Sequence, residues 1–161
     1  MSAADLLFER ELDLPPVVVF DAFIDPDLVV GWLARASIEP VPGGRYDLEW
    51  LGTVAPSATA GIIVDLDAPT TLAIQTDDRG LIEFRLEAVD GGLRGSGTVL
   101  RLRVRLEMEL AFSGPQRRDW ETRLDRLEQL LHGHPVDWGR LALADAAGRR
   151  ADDDRSRDTQ R

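Results

Sequence analysis

The chain has 161 residues, a formal net charge of −10, no cysteine, four tryptophans and two histidines. That length fits one domain that buries ~68–70% of its unfolded surface, so a core forms without disulfides or metals. A disulfide framework and a thiolate metal site are excluded, and no apolar run reaches the ~18 residues of a membrane span.

All 19 basic residues are arginine; lysine and asparagine are absent. The acidic balance argues against sequence-independent nucleic-acid binding, which needs a basic surface to displace counterions. It equally disfavours an anionic membrane surface. Without lysine there is no Schiff-base chemistry and no Walker-type phosphate loop. Met1-Ser2-Ala3-Ala4-Asp5 lacks the basic and apolar regions of a secretion signal, so the expected address is cytoplasmic.

Leu6 to Leu14 alternates apolar and polar residues and predicts a strand, with Arg10 interrupting its apolar face. Pro15-Pro16 ends it. Val17 to Ile24 predicts a short helix. Asp25-Pro26 opens a second, to about Ala34, with Asp25 as N-cap and Pro26 at the first helical position. Short strands follow: Ser37 to Pro40, Arg45 to Leu51, Ala58 to Leu66, Thr70 to Thr76, and Leu81 to Val89. The last places Ile82, Phe84, Leu86 and Ala88 inward. Thr98 to Leu110 has the clearest alternation in the chain. Its Leu, Val and Met positions face one way, its Arg and Glu positions the other, as in an antiparallel sheet with one solvated face.

Ser113 and Gln116 have the spacing of a capping box. Trp120, Leu124, Leu127 and Leu131 then form a helical apolar stripe, with Asp119 and Arg123 as an i, i+4 ion pair on another face. Gly133 is the expected stop. Residues 134–147 predict a short helix using Val136, Trp138 and Leu141, and 148–161 a disordered tail. The element order reads as α+β, an antiparallel sheet with helices on one face.

The stretch Phe8-Glu9-Arg10-Glu11-Leu12-Asp13-Leu14-Pro15, then Val19-Phe20-Asp21-Ala22-Phe23, Asp25-Pro26 and Trp32, resembles the opening of START-like (Bet v 1-like, SRPBCC) domains. Within that superfamily it is most similar to the group named after the activator of Hsp90 ATPase. Trp120 to Leu127 with Leu130-Leu131-His132-Gly133 is similar to that group's final helix. The resemblance implies a helix-grip fold over residues 1–133. About six or seven antiparallel strands would curve around the long C-terminal helix, with two short helices after the first strand. It also implies a cavity between sheet and helix.

The expected function is therefore non-catalytic binding of a small hydrophobic molecule, lipid- or polyketide-like. The expected wall is Trp32, Tyr46, Trp50, Phe84, Trp120 and Leu124, with Arg10 as an anchor for one acidic group. A dry, empty cavity of ~300 Å³ would cost ~7 kcal/mol at ~24 cal/mol per Å³, so a large pocket must hold water or ligand, or be shrunk by side chains, for which Trp32, Trp50 and Trp120 are the bulky candidates. Arg10 has a plainer role as well, its stem packed and its head on an acidic side chain.

One alternative is a cyclase- or hydratase-type enzyme of the same fold. Its candidate polar groups are Arg10, Tyr46 and Glu39. A co-chaperone-like interaction module, with a protein partner or as a homodimer, is another. No residue is assigned a catalytic role, and no cofactor is expected. His132 and His134, two apart at a helix end, lack the geometry and the third ligand of a metal site.

Because Gly148 to Arg161 offers almost nothing apolar to bury, truncation after Ala147 is expected to leave the melting temperature unchanged. A drop of several degrees would show that the tail docks on the domain.

Overall fold

The structure, a computed structural model, describes residues 3–52, 55, 57–91, 95–107 and 113–141. In chain order these form β1 (Ala3–Leu12), α1 (Pro16–Ile24), α2 (Pro26–Val29), β2 (Arg35–Ile38), β3 (Tyr46–Trp50), β4 (Ser57–Thr59), β5 (Gly61–Asp67), β6 (Thr71–Thr76), β7 (Leu81–Asp90), β8 (Ser96–Glu107) and α3 (Ser113–Leu131). All strand pairs are antiparallel. The architecture is the expected α+β one, with two short helices after β1 and a long C-terminal helix.

The strand count differs from expectation. Two sheets form, β1-β8-β7-β6-β5 and β2-β3-β4. The segment Ala58 to Leu66, expected as one strand, divides at Ala60. There the Asp77 carboxylate accepts from Ala60 N–H at 3.1 Å and the Asp47 carboxylate accepts from Gly61 N–H at 3.3 Å. Those amides leave the ladder, so β4 pairs with β3 while β5 pairs with β6. A Cβ at Gly61 would lie 2.5 Å from the Tyr46 carbonyl, so only glycine allows this crossing. An isolated bridge between Arg45 and Ile62 links the sheets.

Period-2 alternation builds the inner face in cross-strand rows. Leu6, Val104, Ile82, Ile74 and Ile63 stand opposite one another across all five strands of the larger sheet. Phe8, Leu102, Phe84 and Leu72 form the next row. All nine are buried. Leu127 is 0% exposed, and with Trp120 and Leu124 it joins this face in one core; Leu131 is only partly buried. Ala88, expected inward, is exposed, because β7 has passed its last β6 partner at Arg85. Met108 to Leu110 lie outside the described residues.

Helix termini follow their sequence signals. Asp25 caps α2 by accepting from Asp27 N–H at 3.0 Å, with Pro26 at the first position. The helix is shorter than expected, and tight turns carry the chain on to Ala34. Gly31 sits in that turn, where a Cβ would lie 2.7 Å from Leu130 Cδ1. Gly133, at φ +89, ends α3 in a Schellman motif: its N–H donates to Leu130 O at 2.9 Å and that of His134 to Gln129 O at 2.8 Å.

The C-terminus of α1 is buried, and its carbonyls need donors. The Trp32 indole N–H donates to Ala22 O at 2.7 Å, and the Tyr46 hydroxyl donates to Phe23 O at 2.5 Å. Tyr46→Phe is therefore expected to cost about 1–3 kcal/mol by leaving that carbonyl unpaired. Leu127→Ala is expected to cost about 2–5 kcal/mol. Urea melts measure both. A loss under ~1 kcal/mol for Leu127→Ala would make α3 peripheral to the core.

Candidate functional site

The expected cavity wall is mostly solid core. Trp32 is 0% exposed, and Tyr46, Phe84, Trp120 and Leu124 are each 1% exposed. Phe23 stacks on Phe84 at 4.4 Å and meets Trp32 edge-on at 5.7 Å, and Trp32 meets Phe84 edge-on at 6.4 Å. Phe23, on α1, thus fills the space between these two wall residues. Tyr46 is bound to Phe23 O, and burial pushes its phenol well above the usual value, so it remains a neutral donor.

Arg10 lies on the inner face as its alternation implies, but it does not join the aromatic set. Its Nη1 lies 2.7 Å from Asp125 and 3.6 Å from Glu128, both on α3. Glu39 is exposed. His132 Nε2 lies 3.7 Å from Asp13, and His134 is exposed. Among the described residues no cluster of three His, Asp or Glu side chains is placed to hold a metal, and no helix is long and apolar enough to cross a membrane.

Trp50 is the wall residue that reaches a cleft. This cleft of about 240 Å³ lies between α3, the end of β3 and the chain after α3. It is lined by Leu33, Trp50, Leu51, Gly52, Arg79, Asp119, Thr122, Arg123, Arg126 and Trp138. Each wall has a local cause. The Trp50 indole N–H donates to Thr59 Oγ1 at 2.8 Å, and that hydroxyl donates to Asp78 at 2.8 Å, which fixes the ring against the β6–β7 turn. Of the segment expected as a helix over 134–147, residues 134–137 form a strap without helical hydrogen bonding and 138–141 are helical; 142–147 lie outside the described residues. Val136 N–H donates to Gly31 O at 2.9 Å and the Trp138 indole N–H to Val30 O at 2.7 Å. Gly52, at φ +74, faces Trp138, where a Cβ would come within 3.3 Å of its ring.

Arginines dominate this cleft. The Arg79 guanidinium lies over the Trp50 ring at 4.1 Å. Arg123 lies 4.7 Å from Trp50 and 4.8 Å from Trp120. Arg126 lies over Trp138 at 5.2 Å. Arg79 Nε and Arg123 Nη1 are buried with no hydrogen-bond partner. Instead of pairing with Asp119 on an outer face, Arg123 turns inward. Burial first, then the like charge of Arg79, push its guanidinium down to about 10, while Asp119 pulls the other way.

Sequence reasoning missed Arg79, Arg123, Arg126 and Trp138 as one group. The available signal was angular. Arg123 follows Trp120 by three residues and precedes Leu124 by one, which sets it at the margin of the buried stripe. For Arg79, in a polar turn, the sequence carries no such signal.

Comparison with known proteins adds the lineage. The family described as activator of Hsp90 ATPase homolog 1-like protein matches residues 13–132. No curated protein matches the chain. Among solved structures it is similar to protein MLL2253 from Mesorhizobium loti, at 20% identity and a TM-score of 0.69, over 83% of this chain and 100% of that one. The AHSA1-like protein from Aeromonas hydrophila matches at 20% identity and 0.67, over 81% and 93%. CalU16 from Micromonospora echinospora matches at 22% identity and 0.64, over 88% and 83%. At these identities the structures speak for the fold alone. The family match, spanning 13–132 of 161 residues, carries the assignment: the chain belongs to the activator of Hsp90 ATPase homolog 1-like family of the SRPBCC (Bet v 1-like) superfamily.

Proposed function

We propose that the chain is a non-catalytic binder of a small hydrophobic molecule, held at the mouth of the helix-grip between α3 and the end of β3. The observation that carries this is the cleft itself. The Trp50 and Trp138 side chains line it with Leu33 and Leu51, and each ring is fixed by its own indole hydrogen bond. Fixed aromatic walls lower the ordering cost of binding.

Size narrows the ligand. About 240 Å³ is below the ~300–1,000 Å³ usual for ligand sites. One ring or a short chain fits this cleft; a lipid or a polyketide is too large for it. The expected wall of Trp32, Tyr46, Phe84, Trp120 and Leu124 then supports the site from behind, and Trp50 is its contacting member.

The polar groups considered for an enzyme do not line this cleft. Arg10 is held by Asp125, the Tyr46 hydroxyl by Phe23 O, and Glu39 is exposed. For the interaction-module alternative, the exposed large apolar side chains among the described residues are spread over several elements. Exposed Leu7 lies on β1, and Ile62 and Val64 on β5, at opposite edges of the larger sheet.

Titration with naphthol, followed through the tryptophan indole N–H resonances, tests the reading. The expected result is saturable shifts at Trp50 and Trp138, little change at Trp32, and affinity lowered several-fold in Trp138→Ala. Saturable binding that Trp138→Ala leaves untouched would overturn it. So would no binding up to the solubility limit together with no co-purifying ligand in native mass spectrometry.

A further inference from the structure

Resting on that reading of the cleft, we infer that its ligand is a small organic acid whose carboxylate or phosphate oxygens take the unpartnered N–H groups of Arg79 and Arg123.

The contrast between arginines on this one molecule points there. On the outer face of the larger sheet, every guanidinium meets a carboxylate. Arg85 lies 2.7 Å from Glu83, Arg101 2.9 Å from Glu87, Arg103 2.8 Å and Arg105 3.1 Å from Asp5. A larger depression there, of about 450 Å³, is lined by three apolar side chains and by arginines already held in such pairs. Arg79, Arg123 and Arg126 have no carboxylate at ion-pair distance among the described residues; the same holds for Arg117, Arg118 and Arg140, but those are exposed to solvent, and Asp119 lines the cleft without pairing with Arg123. The positive faces of Arg79, Arg123 and Arg126 rest on aromatic rings instead, which satisfies the face of a guanidinium but none of its in-plane donors.

Two of those donors are buried without an acceptor, Arg79 Nε and Arg123 Nη1. Buried donors are rarely left so unless a ligand or water accepts from them. A water can accept from such donors but, being neutral, does not relieve the repulsion between two neighbouring cations. A shared oxyanion does both, and the planar guanidinium fork matches carboxylate and phosphate oxygens. Burial and the neighbouring Arg79 cation push the Arg123 guanidinium down to about 10, which still leaves it charged at neutral pH and able to pair with an anion. The net charge of −10 works against polyanions such as nucleic acids, whereas one oxyanion with a single ring fits the cleft beside Trp138.

The experiment compares benzyl alcohol, benzoate, phenyl phosphate and inorganic phosphate at constant ionic strength, read through the Trp50 and Trp138 resonances. Benzoate or phenyl phosphate is expected to bind about tenfold or more tightly than benzyl alcohol. Whichever of the two binds tighter names the oxyanion. Inorganic phosphate is expected to compete with both acids and not with the alcohol. The preference for acids is expected to vanish in Arg123→Gln and in Arg79→Gln, each checked for folding by circular dichroism, and to persist in Arg101→Gln. Arg79 sits on a turn, so its variant stands if Arg123→Gln fails to fold. Equal affinities for the alcohol and the acids in the unmodified chain would overturn the inference and leave small-molecule binding intact. A preference unchanged in both variants would also overturn it. Binding of none of the probes would overturn both readings together.

Discussion

The arrangement of this domain depends on two carbonyls. α1 is a nine-residue helix whose C-terminal turn is buried, with Ala22 and Phe23 both 0% exposed. A helix end of this kind leaves acceptors that folding must serve, because a buried unpaired carbonyl costs as much as a lost hydrogen bond. Here the donors come from far along the chain, Trp32 beyond α2 and Tyr46 on β3. Serving them draws α2 and the smaller sheet over α1, and it turns both large side chains inward. Phe23 is then trapped against Phe84 and Trp32. The same two bonds that complete the helix therefore fill the space that a helix-grip fold can leave for a ligand.

What was legible in the sequence was local. Alternation in β1, β7 and β8, the apolar stripe of α3, the Asp25-Pro26 cap and the Gly133 stop each rest on residues a few positions apart, and the structure contains all of them. The break between β4 and β5 was not legible. It depends on the carboxylates of Asp77 and Asp47 reaching amides at Ala60 and Gly61 from other strands. The early end of α2 was hidden for a related reason, since the turn at Gly31 packs directly against Leu130 of α3. Arg123 shows the limit most sharply. Its spacing from Asp119 reads as an exposed helical ion pair, worth ~0.2–0.5 kcal/mol. Two rings, Trp50 and Trp120, offer a competing site that periodicity cannot see.

The two flanks of α3 treat charge in opposite ways. At 100° per residue, Asp125 and Glu128 fall on one side of the buried stripe, and Arg123 and Arg126 on the other. The acidic side is closed by Arg10 from β1. With Asp125 61% exposed, that pair stabilises the domain by at most ~1 kcal/mol, so it orients the helix more than it holds it. On the cationic side the guanidiniums rest on aromatic faces, and Asp119, which shares that side, does not pair with them.

That asymmetry bears on what a protein of this family can do once its interior is full. An apolar cavity selects by volume and accepts many ligands of similar size, since one methylene changes affinity only modestly. A cleft that pairs aromatic walls with buried, unserved donors selects by chemistry, because a ligand without acceptors leaves those donors unpaired. Filling the grip with Trp32, Phe23 and Phe84 thus does more than stabilise the core. It leaves the cleft outside that core, where the Arg79 and Arg123 guanidiniums lie over the ring of Trp50.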